Sequence, residues 1–105
     1  MAYTSRHEMQ FEWDPVKDQI NQSKHGVSFE VAAEFLATEV DCLEIYDAEN
    51  STVEDRFIAI GPNRVGMLVV VYTETRDDLT RILSARKASP KEARRYESYW
   101  QGKHE

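Results

Sequence analysis

The sequence predicts an α+β domain with helices packed on one antiparallel sheet, in the order β-α-α-β-β-β-β-α. Three observations predict it. Helix start and stop signals bracket two short segments between residues 14 and 36. Four strand-like segments then follow between residues 40 and 86, the last three joined by short turns. A strong helix-opening sequence, "SPKE", comes directly after the last of them. At 105 residues the chain has the length of one domain. Residues 1–8 are polar and patternless and read as a flexible extension, which leaves residues 9–105 as the folded unit and Met9 as a possible second start.

"MQFEW" (9–13) reads as a strand, with Phe11 and Trp13 on one face and Gln10 and Glu12 on the other. Asp14-Pro15 then opens a helix. An aspartate can cap free N–H groups, and proline fits the first turn because its missing N–H is not needed there. The helix runs to His25, with Val16 and Ile20 expected on its inner face, and Gly26 ends it. Ser28 caps a second helix whose apolar face is Phe29, Ala32, Ala33 and Leu36.

"VDCLEIY" (40–46), "RFIAIGP" (56–62), "GMLVVVYTET" (66–75) and "TRILSAR" (80–86) are the next strands. The third is apolar on both faces and suits a central position. The connections "PNRV" and "RDD" have hairpin length, so neighbouring strands should run antiparallel. In the final helix Ser89 is the cap, Pro90 the first position and Glu92 the third, a capping box. Ala93, Tyr96 and Trp100 share one side of it, while Lys91, Arg94 and Arg95 can stay outside.

Charge is unevenly placed. The chain has a net charge of −6, yet residues 79–105 hold seven Lys/Arg against three acidic residues, a net of +4. Such a surface can attract phosphate on an acidic protein, or can be no more than a solvated helix face. The single cysteine, Cys42, forms no internal disulfide and reads as a small buried residue. No apolar run has transmembrane length and no signal peptide is visible, so the expected compartment is the cytoplasm, with no membrane partner. His7, His25 and His104 lack metal-ligand spacing, and the four glycines form no phosphate loop. Neither a metal nor another cofactor is expected.

Three groups of residues could carry chemistry. Lys24-His25 sits at the junction of two helices, where it either complements the helix dipole or holds a phosphate and moves a proton. Glu54 and Arg56 lead into a strand, as a surface ion pair or as a base and a phosphate clamp. Arg81 and Arg86 lie five apart on the last strand. Ideal alternation puts them on opposite faces, with Ile82 and Ser84 beside Arg86 and Leu83 and Ala85 beside Arg81. They share a site only if the strand bends, bulges or ends between them.

Taken together, "FEWDPVKDQINQSKHGVSFEVAAEFL", "EDRFIAIG", "MLVVVYTE" and "RILSARKASPKEARRY" resemble the BrnT toxins of bacterial type II toxin–antitoxin systems, over nearly all of residues 10–97. The resemblance implies a RelE-like α+β fold and a metal-free endoribonuclease that cuts messenger RNA and slows translation. It also implies a cognate antitoxin of the BrnA type, through which alone the complex would contact operator DNA. Lys24 and His25 match the family's Lys-His-Gly motif, Glu54 and Arg56 its Glu-x-Arg, and Arg81 and Arg86 its last strand. One departure is Asn50, in a region where family members often carry a histidine.

Metal-free cleavage uses the RNA's own 2′-hydroxyl and needs proton transfer plus cations for the phosphorane charge. On this reading Arg56, Arg81 and Arg86 hold the phosphate with Lys24 assisting, and His25 or Glu54 transfers the proton. Lys87, Arg94 and Arg95 guide the flanking RNA backbone. Tyr72 or Trp13 either stacks a base or belongs to the core. Two other functions compete. One is a toxin-fold binding module, catalytically weak or inactive, that docks an antitoxin, which Asn50 favours. The other is a DNA-binding regulator, which adjacent Arg94 and Arg95 serve poorly because they diverge by about 100° around a helix.

Overall fold

In the computed structural model residues 2–6, 9–38, 41–76 and 78–104 are described. The elements are β1 (Ala2–Arg6), β2 (Met9–Trp13), α1 (Pro15–His25), α2 (Phe29–Ala37), β3 (Leu43–Tyr46), β4 (Arg56–Asn63), β5 (Gly66–Arg76), β6 (Leu79–Lys87) and α3 (Pro90–His104). A 3₁₀ turn, Ala48–Asn50, precedes β4. Six strands form one sheet in the order β1-β2-β6-β5-β4-β3. β1, within residues 1–8, pairs antiparallel with β2, from Ala2 opposite Trp13 to Arg6 opposite Met9. The pairing covers an edge of β2 that would otherwise present free N–H and C=O groups.

The sheet is mixed, not antiparallel throughout. β3, β4, β5 and β6 are antiparallel neighbours, but β2 runs parallel to β6 from Gln10–Leu79 to Glu12–Arg81. Turn lengths fix only the pairs they join. β2 reaches β6 after a crossover through both helices and three strands, and such a connection allows the parallel direction.

α1 and α2 pack on one face of the sheet, over Phe11, Leu68, Val70, Ile82 and Ala85. α3 covers one end of the other face, where Tyr96 meets Ile60 and Val69. The expected caps are present. The Val16 N–H donates to Asp14 Oδ1 at 2.9 Å, and Gly26 closes α1 in the left-handed conformation with φ 69°. Ser28 Oγ accepts from the Val31 N–H at 3.1 Å. Asp18 Oδ1 also accepts from the Phe29 N–H at 2.9 Å, so α1 caps α2. Among the described residues no helix is long and apolar enough to cross a membrane.

α1 is turned differently from its apolar spacing. Val16 and Ile20 are 63% and 49% exposed, and the buried residue is Asn21. β2 pairs with β6 only as far as Arg81, which leaves the next stretch of β6 without a strand on that side. Asn21 fills the gap. Its Oδ1 accepts from the Ala85 N–H at 3.2 Å, and its Nδ2 donates to the carbonyls of Ala85 at 2.7 Å and Val27 at 2.8 Å. A buried unpaired backbone group costs about 1–3 kcal/mol. Complete burial of a valine or isoleucine side chain gives about 1.5–3 kcal/mol, and the half-exposed pair forgoes only part of that. Satisfying three groups with one amide therefore sets the rotation of the helix.

Asn21→Ala should lower unfolding free energy by about 3 kcal/mol in urea denaturation, because it orphans the Ala85 amide and two carbonyls. Val16→Ser and Ile20→Ser should each change it by less than about 0.5–1 kcal/mol. The reverse order would mean that α1 docks through its apolar residues.

Candidate active site

Cross-strand neighbours share a sheet face. On β5, Leu68, Val70 and Tyr72 face α1 and α2, so Val69, Val71 and Thr73 face the other way. Arg56 pairs with Thr73, Thr73 with Arg81, and Arg81 with Glu12. Glu12, Arg81, Thr73 and Arg56 thus form one row across four strands. Strands lie about 4.8 Å apart, so the backbones of Arg81 and Arg56 stand about 10 Å from each other on either side of Thr73. Two arginine side chains can bridge that span around a single phosphate.

Arg86 joins this face through an irregularity in β6. Val71 pairs with Ser84 but Tyr72 pairs with Ile82, which leaves Leu83 without a partner on β5. This bulge resets the alternation. Arg81, Ser84 and Arg86 share the open face, while Ile82 and Ala85 both enter the core. The simple alternation, which separated the two arginines and set Ile82 beside Arg86, does not hold. Arg86 pairs with Val69, four residues along β5 from Thr73, and lies about 13 Å from the Arg81 row.

Each of the three arginines has a carboxylate partner. Arg81 Nε donates to Glu12 Oε1 at 2.9 Å, and its Nη2 lies 2.8 Å from the same oxygen. Arg86 Nη1 and Nη2 donate to the two oxygens of Glu92, both at 2.7 Å. Arg56 Nη2 lies 3.7 Å from Glu54 Oε1, a looser contact. Arg56 Nε is buried without a hydrogen-bond partner among the described residues. The backbone around it is well held: Ser51 Oγ accepts from the Arg56 N–H at 2.9 Å, and Thr73 Oγ1 donates to the Asp55 carbonyl at 2.6 Å. Asn50 Nδ2 donates to Asp47 Oδ2 at 2.9 Å, within its own loop.

Glu92 also completes the capping box, accepting from the Ser89 N–H at 2.9 Å while its own N–H donates to Ser89 Oγ at 3.2 Å. The Arg86 hydrogen bonds hold its carboxyl down to about 2, with Ser89 helping and burial opposing. In return Glu92 pushes the Arg86 guanidinium above its usual value. The start of α3 is thereby fastened to β6.

Lys24 and His25 occupy the last turn of α1, exposed and without a hydrogen-bond partner among the described residues. α1 begins after Trp13 in β2, whose Glu12 is level with Arg81, and Asn21 is level with Ala85. The helix therefore advances in the direction of β6, and its last turn arrives at the Arg86 end of the strand edge. The row of Arg56 and Arg81 lies at the other end.

The four expected RNA contacts fare differently. Arg94 and Arg95, with Lys91, form an exposed stripe on α3 and line a shallow depression of about 660 Å³ together with Arg86. Lys87 pairs with Leu68, so it lies on the face opposite the arginines, where its Nζ donates to the Val65 carbonyl at 2.5 Å. Tyr72 is 6% exposed and stacks on Phe57 with ring centroids 5.6 Å apart. It belongs to the core, so its ring is closed to a base, and burial pushes its hydroxyl pKa up. Trp13 is likewise buried, edge-on to Phe29 at 6.5 Å. Cys42 is partly buried, and its thiol is pushed up to about 11, mainly by burial. The sequence reading passed over Glu12 as a site residue. Its alternation with Phe11 and Trp13 gave its face, but nothing local gave its partner.

A family profile described as "Ribonuclease toxin, BrnT, of type II toxin-antitoxin system" matches residues 13–92. The chain belongs to this BrnT family. The matched span includes Lys24, His25, Glu54, Arg56, Arg81 and Arg86 and ends on Glu92. The crystal structure of the Brucella abortus ribonuclease toxin BrnT is similar, with a TM-score of 0.58 and 26% sequence identity, over 75% of this chain and 95% of that one. No curated protein matches in sequence. The BrnT assignment makes this a type II toxin of a ribonuclease family.

The depressed carboxyl of Glu92 gives a pH test. A carboxyl held below its usual 4.5, at about 2, adds stability that is present above pH 4.5 and is lost as pH falls towards 2. Glu92→Gln should therefore lower the melting temperature at pH 7, and the gap from wild type should close between pH 4.5 and 2. A gap unchanged across that window would show that the Arg86 pair does not stabilise the fold.

Proposed function

We propose that this protein is a metal-independent endoribonuclease that cuts messenger RNA to inhibit translation, as in RelE-like toxins. It is neutralised in a hetero-oligomer by a BrnA-type antitoxin, which supplies any contact with operator DNA. The observation that carries the reading is the row Arg81–Thr73–Arg56, two partly exposed arginines flanking the buried Thr73 on the sheet face opposite α1 and α2. Membership in a ribonuclease toxin family supports the same reaction class.

In this scheme the RNA 2′-oxygen attacks the adjacent phosphorus, the P–O5′ bond breaks, and a 2′,3′-cyclic phosphate and a 5′-hydroxyl result. Negative charge grows on the non-bridging oxygens, and Arg81 and Arg56 stabilise it from both sides. Preorganised guanidinium groups serve well because their planar forks are held before substrate arrives. Arg86, further along β6, takes a flanking phosphate of the strand, and Lys24, in the last turn of α1 at the same end, assists from the strand edge. Arg94 and Arg95 follow it along α3, a contact with the backbone that carries no sequence information. Glu54, beside Arg56, is a candidate for proton transfer, whereas His25, at the Arg86 end, stands away from the reacting phosphate.

A second reading, a docking module without catalysis, is favoured by one observation. Among the described residues Asn50 bonds within its own loop, at the region where related toxins often carry a histidine.

The purified protein should cleave single-stranded RNA in EDTA and leave 2′,3′-cyclic phosphate ends, read by end-group analysis. Arg81→Ala and Arg56→Ala should each slow cleavage by about 10²-fold, the usual cost of losing one electrostatic donor, and Arg86→Ala by at least about tenfold. Activity abolished by the chelator would remove the metal-free scheme. Expression without antitoxin should arrest growth, and harmless expression of the folded protein would select the docking module instead.

A further inference from the structure

Glu12 stands on the arginine face, beside the phosphate clamp and not within it. Its side chain is only 15% exposed, and Arg81 contacts it through Nε at 2.9 Å and Nη2 at 2.8 Å. Both contacts fall on a single oxygen, Oε1. One oxygen is thus clamped, and the other, Oε2, has no hydrogen-bond donor among the described residues. An ionised carboxylate is an acceptor only, so this arrangement is a fixed, vacant proton acceptor.

The other proton-transfer candidates are held less firmly. Glu54 sits in a loop and contacts Arg56 at 3.7 Å. His25 is exposed at a helix end, without a hydrogen-bond partner among the described residues. Glu12 is carried by a strand paired on both sides, and sites on rigid elements are positioned best. Glu12 lies beyond Arg81 at one end of the row, with Arg56 at the other. In an in-line displacement the attacking and departing oxygens stand on opposite sides of the phosphorus, so a base at Glu12 leaves the Arg56 side to the leaving group.

We infer that Glu12 is the general base of the ribonuclease reaction. The inference rests on the ribonuclease reading above. Arg81 Nη1, which no described acceptor occupies, takes a phosphate oxygen, and the neighbouring ribose then lies beside the guanidinium's carboxylate partner. Oε2 removes the proton of the 2′-hydroxyl as the O2′–P bond forms. The P–O5′ bond breaks, and the 5′-oxygen takes a proton from a solvent water on the far side of the clamp. Glu12 returns its proton to solvent. Arg81 therefore has two tasks, holding the phosphate and aiming the base.

Glu12→Gln separates these tasks, because the amide oxygen can still accept from Arg81 but cannot take a proton. The variant should fold with unchanged far-ultraviolet circular dichroism and bind uncleavable 2′-O-methyl RNA within about twofold of wild type. Its kcat should fall about 10²-fold or more, the usual contribution of a general base. A substrate with a 5′-sulfur leaving group, which needs no acid, should not restore the rate. Glu12→Ala offers a second measurement, in which added imidazole should recover part of the activity. Imidazole can accept a proton but cannot pair with Arg81 as a carboxylate does. Wild-type cleavage with Glu12→Gln equally active, or restored by the 5′-sulfur substrate, overturns the assignment of Glu12. Absence of imidazole rescue overturns it too. Failure of the wild-type protein to cleave any RNA overturns the ribonuclease reading instead.

Discussion

The bulge at Leu83 is the constraint on which the open face depends. β6 must place Ile82 and Ala85 in the core under α1 and α2, and regular alternation cannot put two residues three apart on one face. One unpaired residue resolves the conflict. The same step carries Arg81 and Arg86 to the face opposite α1 and α2, Arg81 in the row of Arg56 and Arg86 against the start of α3. Bulges often sit beside active sites because they re-aim a side chain without breaking the sheet. Here a packing requirement on one face and a clustering of cations on the other have one cause.

The cations gathered on that face are held in check. Three guanidinium groups on one surface repel each other, and the fold answers with three carboxylates from three different elements: Glu12 in β2, Glu54 before β4 and Glu92 in α3. A single exposed ion pair adds little to stability, and of these three the bidentate Arg86–Glu92 pair, joined to the α3 cap, adds the most. Their effect is orientation. A guanidinium tied by two contacts loses less freedom when a phosphate arrives, and less reorganisation means a lower barrier. The acidic balance of the chain, −6 overall, is therefore compatible with a polyanionic substrate. Glu92 does this while also capping α3, so the helix with the exposed Lys91, Arg94 and Arg95 stripe is fixed to the strand that carries Arg86.

Local signals gave the elements well, because they act over a few residues. Asp14, Gly26, Ser28 and the Ser89–Glu92 box mark helix ends through bonds that span two to four positions, and each does so in the structure. The same short range explains the failures. Val16 and Ile20 have the spacing of an inner face, but the unpaired edge of β6 outweighed them, and that edge exists only because β2 ends at Trp13. Tyr72 and Lys87 carry chemistry suited to RNA, yet register puts both on the helix-covered side of the sheet. Arg81 and Arg86 were legible as candidates. That they share a face was not, since a bulge has no firm sequence mark.

By itself the sequence determined the helix boundaries, the four central strands, the placement of positive charge and the residues that tie the chain to the BrnT family. These rest on capping, periodicity and composition, which are properties of neighbouring residues. Only the tertiary structure decided the parallel docking of β2 on β6, the turning of α1 onto Asn21, and the row from Glu12 to Arg56. Glu12 and Arg81 are 69 residues apart. Contact over that distance follows from strand order and register, and those are settled when distant backbone groups compete for partners in the folded sheet.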